Sequence, residues 1–235
     1  MKIAISVLMC FLLAFMLIFP LGILISFFNG YSFEMTSITA YSIILLTLSV
    51  SLAVLGIFCK KQFNVSMIVL TSALLIQAVI NSVTCIYHCH DNILFLISVL
   101  SSLACSIFLV IKHIKNMALK IVMPSIAGFL LGALAFPAFF IWMFSNFGSE
   151  NIIQTYESPS GKYYADLIDD DQGALGGATD VYIYDKDSEI DFLVFKAKKK
   201  PKIIYVGRWG EFENAKIEWK DDNCIIINSK EYNVD

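Results

Sequence analysis

The chain is 235 residues long, 57% hydrophobic and only 16% charged, with a mean hydropathy of +0.71 and a formal net charge of −3. Soluble globular domains carry about 25% charged residues, so the deficit points to lipid and excludes a wholly water-soluble protein. Residues 1–147 hold Lys2, Lys60, Lys61, Lys112, Lys115 and Lys120 against Glu34 and Asp91, which leaves 11 of the 17 basic and 18 of the 20 acidic side chains to residues 148–235, a net charge of −7 there. An acidic region of this kind repels nucleic acid and anionic headgroups, so no nucleic-acid partner is expected.

In chain order, apolar stretches come first, at about 3–28, 39–59, 65–87, 92–111 and 119–146. Each is long enough to cross a ~30 Å hydrocarbon layer as a helix, the form that satisfies its own backbone polar groups in lipid. Residues 1–147 therefore read as a transmembrane domain of five spans, and residues 148–235 as a water-exposed domain. The first stretch begins Met-Lys, as a signal peptide does. Its apolar run from Ile3 to Phe28 nevertheless exceeds the 7–15 residues of a cleavable leader, and no small-x-small site follows. A retained span is expected. With the N-terminus cytoplasmic, all the lysines of residues 1–147 fall on one side and both acids on the other, which is the positive-inside pattern. Five spans then place the C-terminal domain outside the cytoplasm, in a multi-pass protein of the inner or plasma membrane with the lipid bilayer as its first partner.

Within the third span Gln77 and Asn81 lie four apart on one helix face, with Thr84 close to it. In lipid such groups seek partners on neighbouring helices, each worth about 0.6–2 kcal/mol. They read as interhelical glue more simply than as a solute pathway, because no ionisable residue accompanies them. At the end of that span Cys85, His88 and Cys89 share a face, and His90 or Asp91 could complete a tetrahedral zinc site. Thiolates would also suit Cu(I). No second ligand pair is spaced for a known zinc pattern, so neither metal nor cofactor is expected, and a Cys85–Cys89 disulfide stays open as the alternative. Gly128 and Gly132 give a GxxxG spacing, and Pro20, Pro124 and Pro137 are expected to kink their helices.

From Asn151 onward the pattern changes to short alternating runs between turn residues, which reads as strands. Candidates are Asn151–Tyr156, Lys162–Ile168, Thr179–Tyr184, Phe192–Lys196, Lys202–Val206, Ala215–Trp219, Asn223–Asn228 and a short return at Tyr232–Val234. The expected fold is thus an α-helical polytopic bundle followed by a small all-β domain, a meander or sandwich.

The Ser-Pro-Ser-Gly-Lys-Tyr opening (158–163), the Gly-Gly-Ala-Thr segment (176–179) before a Val-Tyr-Ile strand, and the ending from Ile217-Glu218-Trp219-Lys220-Asp221-Asp222-Asn223 through Ile227-Asn228 occur in the same order in a known family. On these motifs residues 158–234 resemble the C-terminal module of a bacterial membrane-protein family, the domain of unknown function numbered 5412. The resemblance implies a bacterial envelope protein and carries over no catalytic residue. Where the family ends Asn-Gly-Lys, this chain has Asn228-Ser229-Lys230, which weakens the expectation of a type I′ hairpin.

Acids are plentiful (Asp166, Asp169, Asp170, Asp171, Asp180, Asp185, Asp187, Glu189, Asp191), but neither Asp169–Gly173 nor Asp185–Asp191 matches a calcium loop. No nucleophile elbow, zinc-protease helix or phosphate loop is present, and the three histidines lie outside the acidic domain. No enzyme is expected. Among the domain's aromatics, Tyr164, Tyr182 and Trp209 with Arg208 are of the types that anchor interfaces, although a small β core also needs such side chains. The leading expectation is a non-enzymatic module that binds an envelope protein partner or a second copy, as an accessory subunit. The alternative is a small-solute transporter, or a subunit of one, using Gln77 and Asn81.

Overall fold

The computed structural model describes residues 1–88, 92–145, 148–173, 176–186, 188–192 and 194–234. The chain forms two compact units: Met1–Ile25, Phe33–Trp142 and Phe192–Phe195 make one, and Ser26–Ser32, Met143–Asp191 and Lys196–Asp235 the other.

The first unit is built on helices α1 (Lys2–Phe28), α2 (Ile38–Phe58), α3 (Val65–His88), α4 (Ile93–His113) and α5 (Met117–Ser145). Each is long and apolar enough to cross a membrane. The connections supply the caps that such helices need. Ser37, Asn64, Asn92 and Asn116 each accept a first-turn amide with a side-chain oxygen, opening α2 to α5 in turn. The core takes one stripe of α1 (Ile5, Met9, Leu12, Met16, Phe19) against Tyr41, Leu45 and Leu52 of α2, Leu74 and Ala78 of α3, and Phe95, Val99 and Leu109 of α4. α2 and α4 meet through small residues: a Cβ on Gly56 would lie 2.9 Å from a methyl of Leu109. The buried serines there satisfy themselves on their own helices, Ser49 on Leu45 O and Ser106 on Ser102 O. Phe195 is also part of this core, with its ring 5.3 Å from Phe33, 5.7 Å from Tyr41 and 6.0 Å from Phe19. Gly128 and Gly132 meet no atom within 4 Å of where a Cβ would stand, so the GxxxG spacing packs against no helix of this chain among the described residues.

Two polar arrangements hold the helices in register. Pro20 has no N–H, so the carbonyl of Met16, four residues earlier, lacks its helical donor. Gln77 Nε2 (2.9 Å) and Asn81 Nδ2 (3.2 Å) both donate to that oxygen, and the Tyr41 hydroxyl donates to Asn81 Oδ1 at 3.4 Å. At the other end of the bundle the last carbonyls of α2 are closed by α4. Lys112 Nζ donates to Ile57 O, and the buried His113 ring places Nε2 3.0 Å from Gly56 O and Nδ1 3.2 Å from Lys61 O while stacked on Phe63.

The second unit is antiparallel β. Strands β2 (Ser149–Glu157), β3 (Tyr163–Asp171), β4 (Gly177–Asp185) and β7 (Lys202–Arg208) form one sheet in the order β2-β3-β4-β7, and β8 (Ile217–Asp221), β9 (Cys224–Ile227) and β10 (Lys230–Asn233) form a second. Their inner faces share one core of Ala165, Leu167, Val181, Ile183, Ile217, Ile225 and Ile227. The Trp219 indole N–H donates to Tyr156 O across it at 3.1 Å.

Three expectations need correction. Phe192–Lys196 is not one strand: β5 (Glu189–Phe192) and β6 (Phe195–Lys199) are neighbours in a third sheet. The third member of that sheet, β1 (Tyr31–Met35), lies in the α1–α2 connection, where no strand was expected. Finally, Asn228 (φ 50°) and Ser229 (φ 66°) are both left-handed, the geometry of a type I′ turn, in spite of the missing glycine. Asn228 fixes that turn by accepting from Lys216 N and donating to Glu211 Oε1, and Ser229 must follow.

Replacing Gln77 or Asn81 by leucine is expected to cost about 1–2 kcal/mol each. In a Pro20→Ala background the Met16 carbonyl regains a helical donor, so the loss at Gln77 should shrink by about 1 kcal/mol in a double-mutant cycle of detergent unfolding. Strict additivity would count against the shared carbonyl. Ser229→Gly is expected to raise the thermal stability of the β unit by about 1 kcal/mol, since it removes a left-handed side-chain residue.

Candidate functional site

Side chains alternate across a strand, so the inward set of the four-stranded sheet fixes what points the other way. On β3 the inward residues Tyr163, Ala165 and Leu167 leave Tyr164, Asp166, Ile168 and Asp170 on the opposite face. On β4 the inward Val181 and Ile183 leave Asp180, Tyr182 and Tyr184 there. The register places Tyr164 opposite Tyr184, Asp166 opposite Tyr182 and Ile168 opposite Asp180, while Glu150 of β2 lies opposite Asp170. One face thus gathers three tyrosines and four carboxylates.

The electrostatics of that face are strained. Asp166 is buried and accepts from Thr155 Oγ1 at 2.6 Å. Asp180 is 6% exposed, and its Oδ1 has no hydrogen-bond partner. Burial first, then the nearby Asp170 charge, raise the Asp180 pKa above the ordinary carboxylate value, with the Tyr182 hydroxyl opposing them by hydrogen bonding. Burial and the charges of Glu150, Asp180 and Asp170 push the Tyr182 phenol up to about 12, and burial with Asp166 and Glu150 raises Tyr184. Lysines of the same unit compensate part of this charge. Lys198 Nζ lies 5.5 Å from the Tyr184 ring centroid and 3.1 Å from Glu189, and Lys186 Nζ lies 5.1 Å from the Tyr164 ring and 3.6 Å from Glu157. A cleft of about 350 Å³ opens here, lined by Ile152, Thr155, Tyr164, Asp166, Tyr184 and Lys198.

The structure brings together two of the expected interaction residues, Tyr164 and Tyr182, on this face. Arg208 and Trp209 sit at the end of β7 instead. Trp209 is 57% exposed and lies on Gly177, where a Cβ would stand 2.7 Å from its Cδ1 and 2.5 Å from Asp170 O. The Arg208 backbone N–H donates to Glu211, whose carboxylate also takes the Tyr205 hydroxyl. The buried acids were missed as a set. The signal was present as the i, i+2 spacing of Asp180, Tyr182 and Tyr184 beside Tyr164 and Asp166, which only the register turns into a cluster. Gln77 spends an amide donor on Met16 O, and Asn81 divides its donors between Met16 O and Gln77 O. Of the cysteine–histidine group, Cys89 and His90 lie outside the described residues, as do the side chains of Cys85 and His88 within α3. Among the described residues no three His, Cys, Asp or Glu side chains converge as a metal site.

The motif residues have structural roles. Gly161 N–H donates to Ser158 O at 2.8 Å with Pro159 at the second turn position, and Gly161 takes the left-handed φ of 73° that follows. Asp222 Oδ1 accepts from Ser160 N, tying this turn to the one before β9, and the Ser160 backbone and side chain hold the Asp222 carboxyl below its ordinary value. Thr179 Oγ1 donates to Arg208 O and accepts from Phe212 N.

The sequence model of one protein family, described as Family of unknown function (DUF5412), matches residues 113–235, more than half of the chain. The match takes in α5 as well as the β-rich region. No curated protein and no solved structure matches the chain.

Because the folded state holds the Asp180 proton more tightly than the unfolded chain does, the stability this group contributes is complete below the ordinary carboxylate pKa of about 3.9 and is lost as pH rises through the raised folded value. Asp180→Asn should therefore remove that decline. At pH 7 it should also stabilise the β unit, by about 1 kcal/mol, through removal of a buried charge whose Oδ1 has no hydrogen-bond partner. Thermal melts of both forms between pH 3 and 8 check this; parallel profiles would contradict it.

Proposed function

The chain belongs to the DUF5412 family of unknown function, and we propose that it is a non-enzymatic bacterial membrane protein whose helices hold a β-rich binding module outside the cytoplasm. The observation that carries this reading is the tyrosine–carboxylate face. It keeps buried acids at a cost to stability, as a recognition surface does and a purely structural sheet has no need to do. Turn and packing roles for Ser158, Ser160, Gly161 and Thr179 are in keeping with a binding module. The partner is an envelope protein, for which the module serves as an accessory subunit.

The orientation is supported by where the lysines collect. A groove lined by Met1, Lys2, Ile3, Phe58, Cys59, Lys60 and Lys61 brings the N-terminus and the α2–α3 connection to one end of the bundle, and Lys112 closes α2 at that same end. Basic residues gathered at one end of apolar helices favour a cytoplasmic location for that end. The burial of one whole stripe of α1 supports its retention as a span.

A photo-crosslinker placed at Ile203, which is exposed beside Tyr182, should capture a discrete partner in native membranes, while the same group at Lys230 on the other sheet should not. C-terminal reporters should be active outside and silent inside. An inside reporter, or the absence of any adduct from Ile203, would remove the proposal.

A further inference from the structure

We infer that the position over the Tyr182 ring, beside Asp180 and on the face that also carries Asp166, Asp170 and Glu150, receives the ammonium of a lysine side chain carried by the partner protein; this rests on the binding reading above. The face shows one arrangement twice. Tyr184 and Tyr164 each have a lysine ammonium of this chain over the ring, Lys198 and Lys186. Tyr182 is the next residue along β4 on the same face, with Asp180 two residues before it on its own strand and Asp166 opposite it, and among the described residues no lysine or arginine lies over its ring. Asp180 supplies the independent sign of a missing cation: it is more than nine-tenths buried and one carboxylate oxygen has no partner. A buried carboxylate is costly unless it is paired, and a partner's ammonium would supply the pair.

The neighbours fit a lysine in particular. Ile203 lies opposite Tyr182 and Val206 opposite Asp180, and both are exposed, giving apolar surface along which a methylene stem can lie. A compact ammonium can face a ring and a carboxylate at once, as Lys198 does with Tyr184 and Glu189. A divalent metal fits less well, because among the described residues no three acidic side chains converge on one point.

The test uses the full-length chain in nanodiscs of uncharged lipid, titrated with a fluorescent peptide bearing one central lysine between leucines, and with its Nε-acetylated counterpart. Acetylation, Asp180→Asn and Tyr182→Leu should each weaken binding roughly tenfold, since each removes the charge or the ring that holds the ammonium. Tryptophan-fluorescence melts confirm that both variants are folded, and the two substitutions act through different atoms, so a defect in one does not leave the other unread. Equal binding of the two peptides, or unchanged binding by both folded variants, overturns the inference. So does binding of calcium or putrescine that the lysine peptide cannot displace. A membrane partner whose capture survives Asp180→Asn would leave the binding reading standing and remove the lysine subsite. Lysine-dependent peptide binding without any membrane partner would do the reverse.

Discussion

The helical unit turns on one carbonyl oxygen. Pro20 strips Met16 O of its helical donor in the middle of a long apolar helix, where an unpaired backbone group costs several kcal/mol in hydrocarbon. The repair comes from α3, through two amides one helical turn apart, and the Tyr41 hydroxyl of α2 then orients one of them. Three helices are thereby fixed in both height and rotation by a defect in one of them. The aromatic nest around Tyr41 and the core stripe of α1 follow from that alignment. For helices of this length and apolarity placed in a bilayer, apolar packing alone would let them slide, because lipid tails compete equally for every leucine.

In the β unit the corresponding constraint is the alternation of strands. Once Ala165, Leu167, Val181 and Ile183 turn toward the second sheet, the side chains between them have no choice of face. Acids and tyrosines that are dispersed along the chain become one surface. The unit tolerates this because Thr155 and its own lysines answer part of the charge, while the turns before β3 and β9 are pinned to each other through Asp222 and Ser160.

Much of this architecture was legible in the residues. The five apolar lengths, the strand runs and the family motifs depend on local composition and spacing, and the structure places helices and strands close to where those predict. What escaped depends on distant partners. Nothing near Tyr31–Met35 announces a strand, since its pairing partner β6 is more than 150 residues away. Ser229 reads against a type I′ turn, until Lys216 and Glu211 are seen to hold Asn228. Gln77 and Asn81 were visible as polar residues in need of partners, but the partner, a backbone oxygen freed by a proline, carries no side-chain signal. The tyrosine–carboxylate face was half legible: Tyr164 and Tyr182 stood out by type, and Asp180 did not, because its burial is a property of the register.

Phe195 carries a consequence for the way this gene can be cut. By position in the chain it belongs to the C-terminal region, yet its ring fills the aromatic nest of the helical unit between Phe19, Phe33 and Tyr41. A deletion that begins after α5 therefore empties a site among the helices, and a transplanted C-terminal region carries a large apolar ring away from its seat. The two units are separable on paper but share their inheritance, and a recombination event that exchanges one without the other must also solve the vacancy left by a single phenylalanine.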